Sequence, residues 1–201
     1  MSTGEENLRA TLRRRARAAR FALSAEERAT AGDKICAEVQ ALSVFARAQR
    51  IAAYFAVASE VSVAALMAHA WQRSRSIYLP RLGLDHSMHF AIWSGDPAEI
   101  VLNAFGIGEP DHTAQDIDTS RLDVILLPLV AFDRRGFRLG SGAGYYDRAL
   151  APRLQHAAPP CLIGIAHSCQ EVPTIPQAAW DVPLDLIATE REVIRITPAQ
   201  G

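Results

Sequence analysis

The chain is 201 residues long, 49% hydrophobic and 21% charged, with a formal net charge of −1 at pH 7. This composition is typical of a folded globular chain and excludes disordered, collagen-like and coiled-coil proteins. The near-balance of charge excludes a protein whose main partner is bulk nucleic acid or an anionic membrane, so any basic site is local. Lys34 is the only lysine, and basic contacts will therefore be made by planar guanidinium groups, which suit phosphate and carboxylate.

The sequence has no segment approaching the roughly 18 uninterrupted apolar residues that a membrane helix needs. Its arginine-rich start lacks the apolar block of a signal peptide, and Glu5 and Glu6 are unlike a transit peptide. The three cysteines have no CxxC spacing, and we expect Cys36, Cys161 and Cys169 to be buried apolar residues in a reducing compartment. These features predict a cytoplasmic protein without nucleic-acid or membrane partners.

Two helices are predicted before the first strand. Residues 5 to about 22 form an amphipathic helix in which an arginine stripe lies beside an apolar face. The residues of that face are Leu8, Leu12, Ala16, Ala19 and Leu23. Ser24 and Glu27 have the spacing of a capping box and predict the start of the second helix.

Strand-like and helix-like segments then alternate, as in βαβ units. The predicted strands lie at 50–57, 76–80, 88–93, 123–128 and 161–166, with an edge pair at 184–190 and 192–197. Helices are predicted over 62–73 and 145–153, and residues 103–110 are predicted to be a loop. We expect an α/β fold in a single domain over residues 1–201, with a mostly parallel Rossmann-like sheet, helices on both faces and an N-terminal helical pair.

The most informative segment runs from the strand at 123–128 to the helix that begins at Tyr145. Gly140, Gly142 and Gly144 alternate there and allow close backbone approach to an anion. The guanidinium groups of Arg138 and Arg148 bracket these glycines, and the carboxylate of Asp147 could hold Mg²⁺. Ligands of open α/β sheets bind at the carboxyl ends of strands, so this loop is a candidate phosphate site.

Two nucleotide motifs are excluded by spacing. A P-loop requires a lysine after its second glycine, and Lys34 is not in that setting. The GxGxxG fingerprint fails because Tyr145 stands three residues after Gly142. From the residues alone, a phosphate or nucleotide site and a tight structural turn both stay open as interpretations of the glycine-rich loop.

The run FDRRGFRLGSGAGYYDR over 132–148 resembles the signature FDxxGxRLGxGxGYYDR of the 5-formyltetrahydrofolate cyclo-ligase family. Other matching segments follow in the family's order, at 8–9, 54–63, 79–82, 105–110, 162–176 and 180–190. The resemblance implies conversion of 5-formyltetrahydrofolate to 5,10-methenyltetrahydrofolate through an imidate phosphate, with ATP as co-substrate, Mg²⁺ as cofactor, and ADP and phosphate as products. It also implies small-molecule partners, and we expect a monomer.

The resemblance further implies a role for individual residues. It places three catalytic groups at Arg138, Tyr145 and Arg148. ATP would bind along the glycine-rich loop and the first helix, at Arg9, Arg13, Arg138, Leu139, Gly140, Ser141, Gly142, Ala143, Gly144, Tyr145 and Tyr146. The folate would contact Phe55, Glu60, Trp93 and Tyr145, with Glu60 accepting pterin N–H groups. Mg²⁺ would be bound by Asp147 and Asp181.

Other interpretations stay open beside these. Phe55 and Trp93 lie on strand patterns, where an aromatic ring is more often core, and Asp181 alone resembles a turn or cap residue. His86 and His89 have HxxH spacing, but a solvated turn is the interpretation we favour there. A relative that binds ligand without turnover, or a phosphosugar isomerase, would be the alternative function. The presence of Arg138, Asp147, Glu60 and Asp181 favours the enzyme, whereas Glu5, which replaces a lysine that the family often has, keeps the first alternative open.

Overall fold

An eight-stranded sheet forms the centre of the fold, which is known from a computed structural model describing residues 2–83, 85 and 87–197. Its strands, in spatial order, are β12 (Val193–Arg195), β11 (Leu186–Ala188), β10 (Cys161–Ile165), β7 (Val124–Pro128), β1 (Arg50–Ala52), β2 (Ser76–Leu82), β3 (Met88–Trp93) and β6 (Asp116–Ile117). The five strands from β11 to β2 are parallel to one another, and the outer strands pair antiparallel. The predicted mostly parallel sheet is confirmed.

Helices cover both faces of this sheet. The helices are α1 (Thr3–Ala22), α2 (Ala25–Ala41), α3 (Ser43–Arg47), α4 (Ala64–Trp71) and α5 (Tyr145–Leu150), with 3₁₀ turns at Pro97–Glu99, Thr119–Arg121, Ala151–Leu154 and Ser168–Gln170. None of the helices described is long and apolar enough to cross a membrane. The capping box at Ser24 and Glu27 is formed, and a second one joins Ser2 to Glu5 at the start of α1.

Side chains alternate between two cores because successive residues of a strand point to opposite faces. Ile51, Leu126 and Ile163 pack with the buried faces of α2, α3 and α4. On the other face, Ile125 and Leu162 pack with α5. The continuous apolar runs of β7 and β10 therefore belong to strands that are covered on both sides.

Two short hairpins stand outside the main sheet and were not predicted. One pairs β4 (Ile100–Leu102) with β5 (Gly108–Pro110), and the other pairs β8 (Ala131–Phe132) with β9 (Arg138–Leu139). The sequence prediction treated 103–110 as a loop. Residues 103–107 form the turn of the first hairpin, whereas 108–110 form β5. Strands of two or three residues have no readable alternation, which is why both were missed.

Three further predictions need correction. The strand predicted over 50–57 ends at Ala52, because the chain then leaves the sheet to line a cavity. On α1, Leu8 is exposed whereas Arg9 and Arg20 are buried, because both guanidinium groups find acceptors on neighbouring segments. Cys169 is exposed, unlike Cys36 and Cys161, since it lies on a surface 3₁₀ turn.

Candidate active site

A cavity of about 650 Å³, here called the strand-end cavity, opens where β1, β2 and β7 end. Tyr54 and Phe55 follow β1, Pro80 and Leu82 belong to the end of β2, and Pro128 ends β7, and all five line it. From β1 the chain crosses through α4 to β2 on one side, whereas β7 pairs with the opposite edge of β1. The cavity therefore lies at the switch point where open α/β sheets bind ligands.

The glycine loop (residues 140–144) forms one wall of this cavity. Gly142 and Gly144 have φ angles of 118° and 70°, which side chains other than glycine rarely adopt. A Cβ atom at Gly140 or Gly142 would meet no atom within 4 Å, so the backbone there borders open space. Gly144 is the residue before α5, and the loop can present backbone N–H groups to an anion without a side chain in between.

Arg138 and Asp147 form an ion pair at the base of the glycine loop. One Arg138 amino group lies 2.7 Å from Asp147 Oδ1, and the other donates to the carbonyl oxygen of Val182. Arg138 is 7% exposed, and its burial lowers the pKa of the guanidinium group. Burial likewise raises the pKa of the Tyr146 hydroxyl on the same wall. The pair places a cation and a carboxylate side by side on the cavity wall.

Two arginines of α1 donate hydrogen bonds to the glycine loop. Arg13 Nε donates to the carbonyl oxygen of Gly140 at 3.0 Å, and an amino group of Arg17 donates to that of Ser141 at 3.4 Å. These bonds hold the loop carbonyls toward α1. Arg13, which is predicted to contact ATP, thus lies beside the glycine loop.

Arg9 and Asp181 are brought together, although they were predicted to bind different ligands. Two amino groups of Arg9 donate to the two carboxylate oxygens of Asp181 at 2.7 and 3.0 Å. Asp181 Oδ2 also accepts the Ala178 N–H at 2.8 Å, as a residue that shapes a turn does. Hydrogen bonding to Asp181 raises the pKa of Arg9, and both side chains are buried.

Glu60 also lines the cavity, from the turn that follows β1. Its Oε2 accepts the Val57 N–H at 3.0 Å, and its Oε1 lies 3.9 Å from an amino group of Arg20. Burial raises the pKa of Glu60. The carboxylate therefore borders the cavity with part of its hydrogen-bonding capacity directed to the protein.

The aromatic residues predicted for the folate are placed differently from each other. Phe55 lines the strand-end cavity, whereas Trp93 is not among its described lining residues. Trp93 packs edge-to-face on Phe55 at 5.1 Å and on Trp71 at 5.0 Å. It lines a second cavity of about 480 Å³ on its other side. Trp93 supports Phe55 from behind in this structure.

Tyr145 directly follows the glycine loop, as the first residue of α5, and lines the cavity. Its ring packs edge-to-face with Phe105 at 6.3 Å, and the Arg148 guanidinium carbon lies 5.2 Å from the ring centre. Phe105 is 63% exposed at the tip of the β4–β5 hairpin. The hairpin tip therefore contacts the residue that directly follows the glycine loop.

The lining residues that sequence reasoning did not select include Arg17, Arg20, Tyr54 and Phe105. The arginines continue the spacing of Arg9 and Arg13, and this periodicity was the available signal. His86 lies outside the described residues, and His89 Nε2 is 3.0 Å from Ser87 Oγ. Among the described residues, no three His, Cys, Asp or Glu side chains lie together as a metal cluster.

The fold and the cavity together define an α/β enzyme whose crevice lies at the strand ends. The family model of the 5-formyltetrahydrofolate cyclo-ligase family matches residues 5–190, and the chain belongs to that family. The predicted resemblance is confirmed.

Curated relatives and solved structures agree with this assignment. The chain is 38% identical to a 5-formyltetrahydrofolate cyclo-ligase of Haemophilus influenzae over 69% of this chain and 74% of that protein. It is 32% identical to the one of Escherichia coli over 87% and 96%. The structure of Aquifex aeolicus 5,10-methenyltetrahydrofolate synthetase superposes with a TM-score of 0.81 and 31% identity, covering 96% of this chain and 95% of that one.

Proposed function

We propose that the chain catalyses the ATP- and Mg²⁺-dependent cyclisation of 5-formyltetrahydrofolate to 5,10-methenyltetrahydrofolate, with release of ADP and phosphate. The observation that carries this proposal is that the glycine loop and Glu60 line one and the same cavity. Such a cavity can hold the triphosphate beside the glycine loop and a pterin ring beside Glu60, so that the formyl group and the γ-phosphate meet between them.

The reaction proceeds through an imidate phosphate. The formyl oxygen attacks the γ-phosphorus of ATP, and the bond to the β–γ bridging oxygen breaks as ADP leaves. N10 then attacks the activated formyl carbon and gives up its proton, and phosphate leaves with the former formyl oxygen as the ring closes. Both steps depend chiefly on positioning and on stabilising negative charge, and no side-chain nucleophile is required.

The residues of the glycine-loop wall are suited to the phosphates. Backbone N–H groups of residues 140–144 bind phosphate oxygens, and Arg138, already held by Asp147, supplies a fixed positive charge. Tyr145 also lines the cavity, and the Arg148 guanidinium group packs on its ring. Elsewhere in the cavity lining, Glu60 accepts pterin N–H groups while Phe55 packs against the ring.

The carboxylates fit a magnesium ion that accompanies ATP. Mg²⁺ takes one or two carboxylates and completes its shell with water and phosphate, so a protein cluster of three ligands is not needed. Asp147 and Asp181 would hold it, and the ion would neutralise phosphate charge. Asp181 is bonded to Arg9 here, so its role requires Arg9 to exchange partners, which also releases Arg9 for a phosphate oxygen.

Purified protein incubated with 5-formyltetrahydrofolate and Mg-ATP tests the proposal. We expect one ADP for each methenyl product, detected by its conjugated absorbance, and we expect chelation of Mg²⁺ to stop both. Product formed equally well without ATP would exclude the reaction. Tight binding of both substrates without turnover would instead favour a relative that has become a ligand-binding protein.

A further inference from the structure

Arg20 is a buried cation on the wall of the strand-end cavity that the proposed reaction leaves without a role. It belongs to the last turn of α1 and is 5% exposed. Its Nε donates to Ser59 Oγ at 2.9 Å, and one amino group donates to the Leu129 carbonyl oxygen at 3.4 Å. Burying a guanidinium group is costly unless it is bonded, and these contacts fix its orientation.

The fixed guanidinium faces Glu60 without binding it closely. Arg20 lies 3.9 Å from Glu60 Oε1, which is an ion-pair distance but too long for a hydrogen bond. Glu60 Oε2 accepts the Val57 N–H, and the Tyr54 hydroxyl donates to the Val61 carbonyl oxygen at 2.8 Å just after Glu60. The carboxylate is therefore held at its Oε2 side, while Oε1 retains lone pairs for a ligand.

The charges around Glu60 act in opposite directions. Burial raises the pKa of Glu60, and the Val57 hydrogen bond, Arg20 and Arg17 oppose that rise. The other titratable groups that face it are the hydroxyls of Tyr54 and Tyr146, and burial keeps both pKa values above the ordinary range. Arg20 itself also lies near His167 and Cys169, at the 3₁₀ turn Ser168–Gln170, and burial lowers the pKa of His167. Arg20 and Arg17 are the cations that favour the ionised form of Glu60.

We infer that Arg20 is a positioning residue that keeps Glu60 ionised and oriented to accept N–H groups of the substrate. The inference rests on the proposed function to the extent that Glu60 is the substrate acceptor. It predicts that removal of Arg20 weakens folate binding through the protonation of Glu60, and not through a general loss of structure.

The test is direct binding of 5-formyltetrahydrofolate without ATP, over a pH series from about 5 to about 8. In the wild type, affinity falls as the pH drops through the pKa of Glu60, because the carboxylate becomes protonated. In Arg20→Met that pKa is higher, so the fall begins at higher pH. On the acid side, affinity is then lower by about tenfold for each pH unit by which the midpoint has moved. Arg20→Lys, which keeps the charge, returns the midpoint toward that of the wild type.

Arg14→Met is the matched control, because Arg14 is an exposed arginine of the same helix. We expect its binding curve to coincide with that of the wild type. If affinity in Arg20→Met falls by one factor at every pH, Arg20 is merely structural and the inference is overturned. If Arg20→Met does not fold, Ser59→Ala replaces it in the test. This substitution removes the acceptor of Arg20 Nε, and we expect it to move the pH midpoint of folate binding upward by less than Arg20→Met would. An unchanged midpoint in that variant would also overturn the inference.

Glu60→Gln separates this inference from the proposed function. If it binds 5-formyltetrahydrofolate as the wild type does, Glu60 is not the acceptor, and the substrate role proposed for it fails. If it loses affinity while Arg20→Met retains the wild-type pH profile, the role of Glu60 stands and only the inference about Arg20 is wrong.

Discussion

Three arginines around the site are almost fully buried, and oxygen acceptors hold each of them. Arg9 is bonded to Asp181, Arg20 to Ser59 and Arg138 to Asp147. A guanidinium group presents several donors in one plane and is more weakly hydrated than an ammonium group, so it can be buried with its partners at lower cost. The strong preference of this chain for arginine over lysine therefore has a structural purpose at these positions.

Asp147 provides the first prediction at the scale of the residue. Asp147→Asn removes a charge with little change of volume, so turnover should fall by at least about 100-fold while the fold persists. Initial rates at saturating Mg-ATP and circular dichroism measure the two effects. Asp33→Asn is the control, because Asp33 is an exposed carboxylate on α2. Full activity of Asp147→Asn at ordinary magnesium concentration would place the metal elsewhere.

The Arg9–Asp181 ion pair provides the second prediction at the scale of the residue. Because Arg9 is 7% exposed and Asp181 5% exposed, removal of one partner leaves a buried charge without its counterion. Arg9→Met should lower the free energy of unfolding by about 3–5 kcal/mol, measured by urea denaturation. It should also raise the apparent KM for ATP more than that for folate.

An exposed arginine calibrates this second measurement. Arg134 is bonded to Glu171 and Glu192 on the surface, and Arg134→Met should cost less than about 1 kcal/mol. Equal losses in the Arg9 and Arg134 variants would show that burial of the Arg9 pair contributes nothing.

The β8–β9 hairpin shows how one element places the cation of the site. Asp133 is fully buried and accepts N–H groups from Arg135 and Phe137 within the turn, and from Ile175 across it. Asp133 therefore shapes this turn. The turn returns the chain as β9, whose first residue is Arg138.

Gly136 of this turn provides the third prediction. Its φ is +90°, and an added Cβ would lie 3.0 Å from Ile196 side-chain carbons and 3.1 Å from the Leu184 carbonyl oxygen. Gly136→Ala should therefore destabilise the protein by about 1–3 kcal/mol, measured by the denaturation midpoint.

Gly140→Ala is the matched variant, since a Cβ there meets nothing within 4 Å. We expect its stability to match that of the wild type and its affinity for ATP to fall, because the methyl group would occupy space beside the phosphates. The reverse pattern, with Gly136→Ala stable and Gly140→Ala destabilised, would contradict this account of the loop.

The N-terminal helix is a second element whose role became clear from contacts. Glu5, which stands where the family often has lysine, caps the start of this helix. Its carboxylate accepts the Ser2 N–H at 2.7 Å and so lowers the number of free donors at the helix start. Arg13 and Arg17, farther along, bond the glycine loop.

The fourth prediction concerns the whole molecule, because ligands that bind only the folded state stabilise all of it. Mg-ATP at about 100 times its Kd should raise the melting temperature by roughly 5–10 °C. 5-Formyltetrahydrofolate should give a separate increase. In Glu60→Gln the folate increase should disappear while the nucleotide increase persists, as measured by calorimetry. Loss of both increases together would indicate that Glu60 has a structural role.

Several expectations about the molecule as a whole remain predictions. They are the single domain over residues 1–201, the monomeric state and the cytoplasmic location. The individual site residues, including Trp93, Arg148 and Asp181, likewise remain proposals. The enzyme class and the α/β fold are confirmed.

The sequence alone determined the buried parallel strands, the starts of α2 and α5 and the glycine loop, because these depend on local signals. An apolar run, a capping box or an alternation of glycines is readable within about ten residues. The signature over 132–148 likewise identified the family without any tertiary information.

Only the tertiary structure decided which distant residues share the site. It joined Arg9 to Asp181, set Arg20 beside Glu60, and placed Trp93 behind Phe55. A guanidinium group on an amphipathic helix looks the same in sequence whether it faces water or a buried carboxylate. Its partner lies up to 172 positions away in the chain, and only the packing of α1 across the strand ends brings the two together.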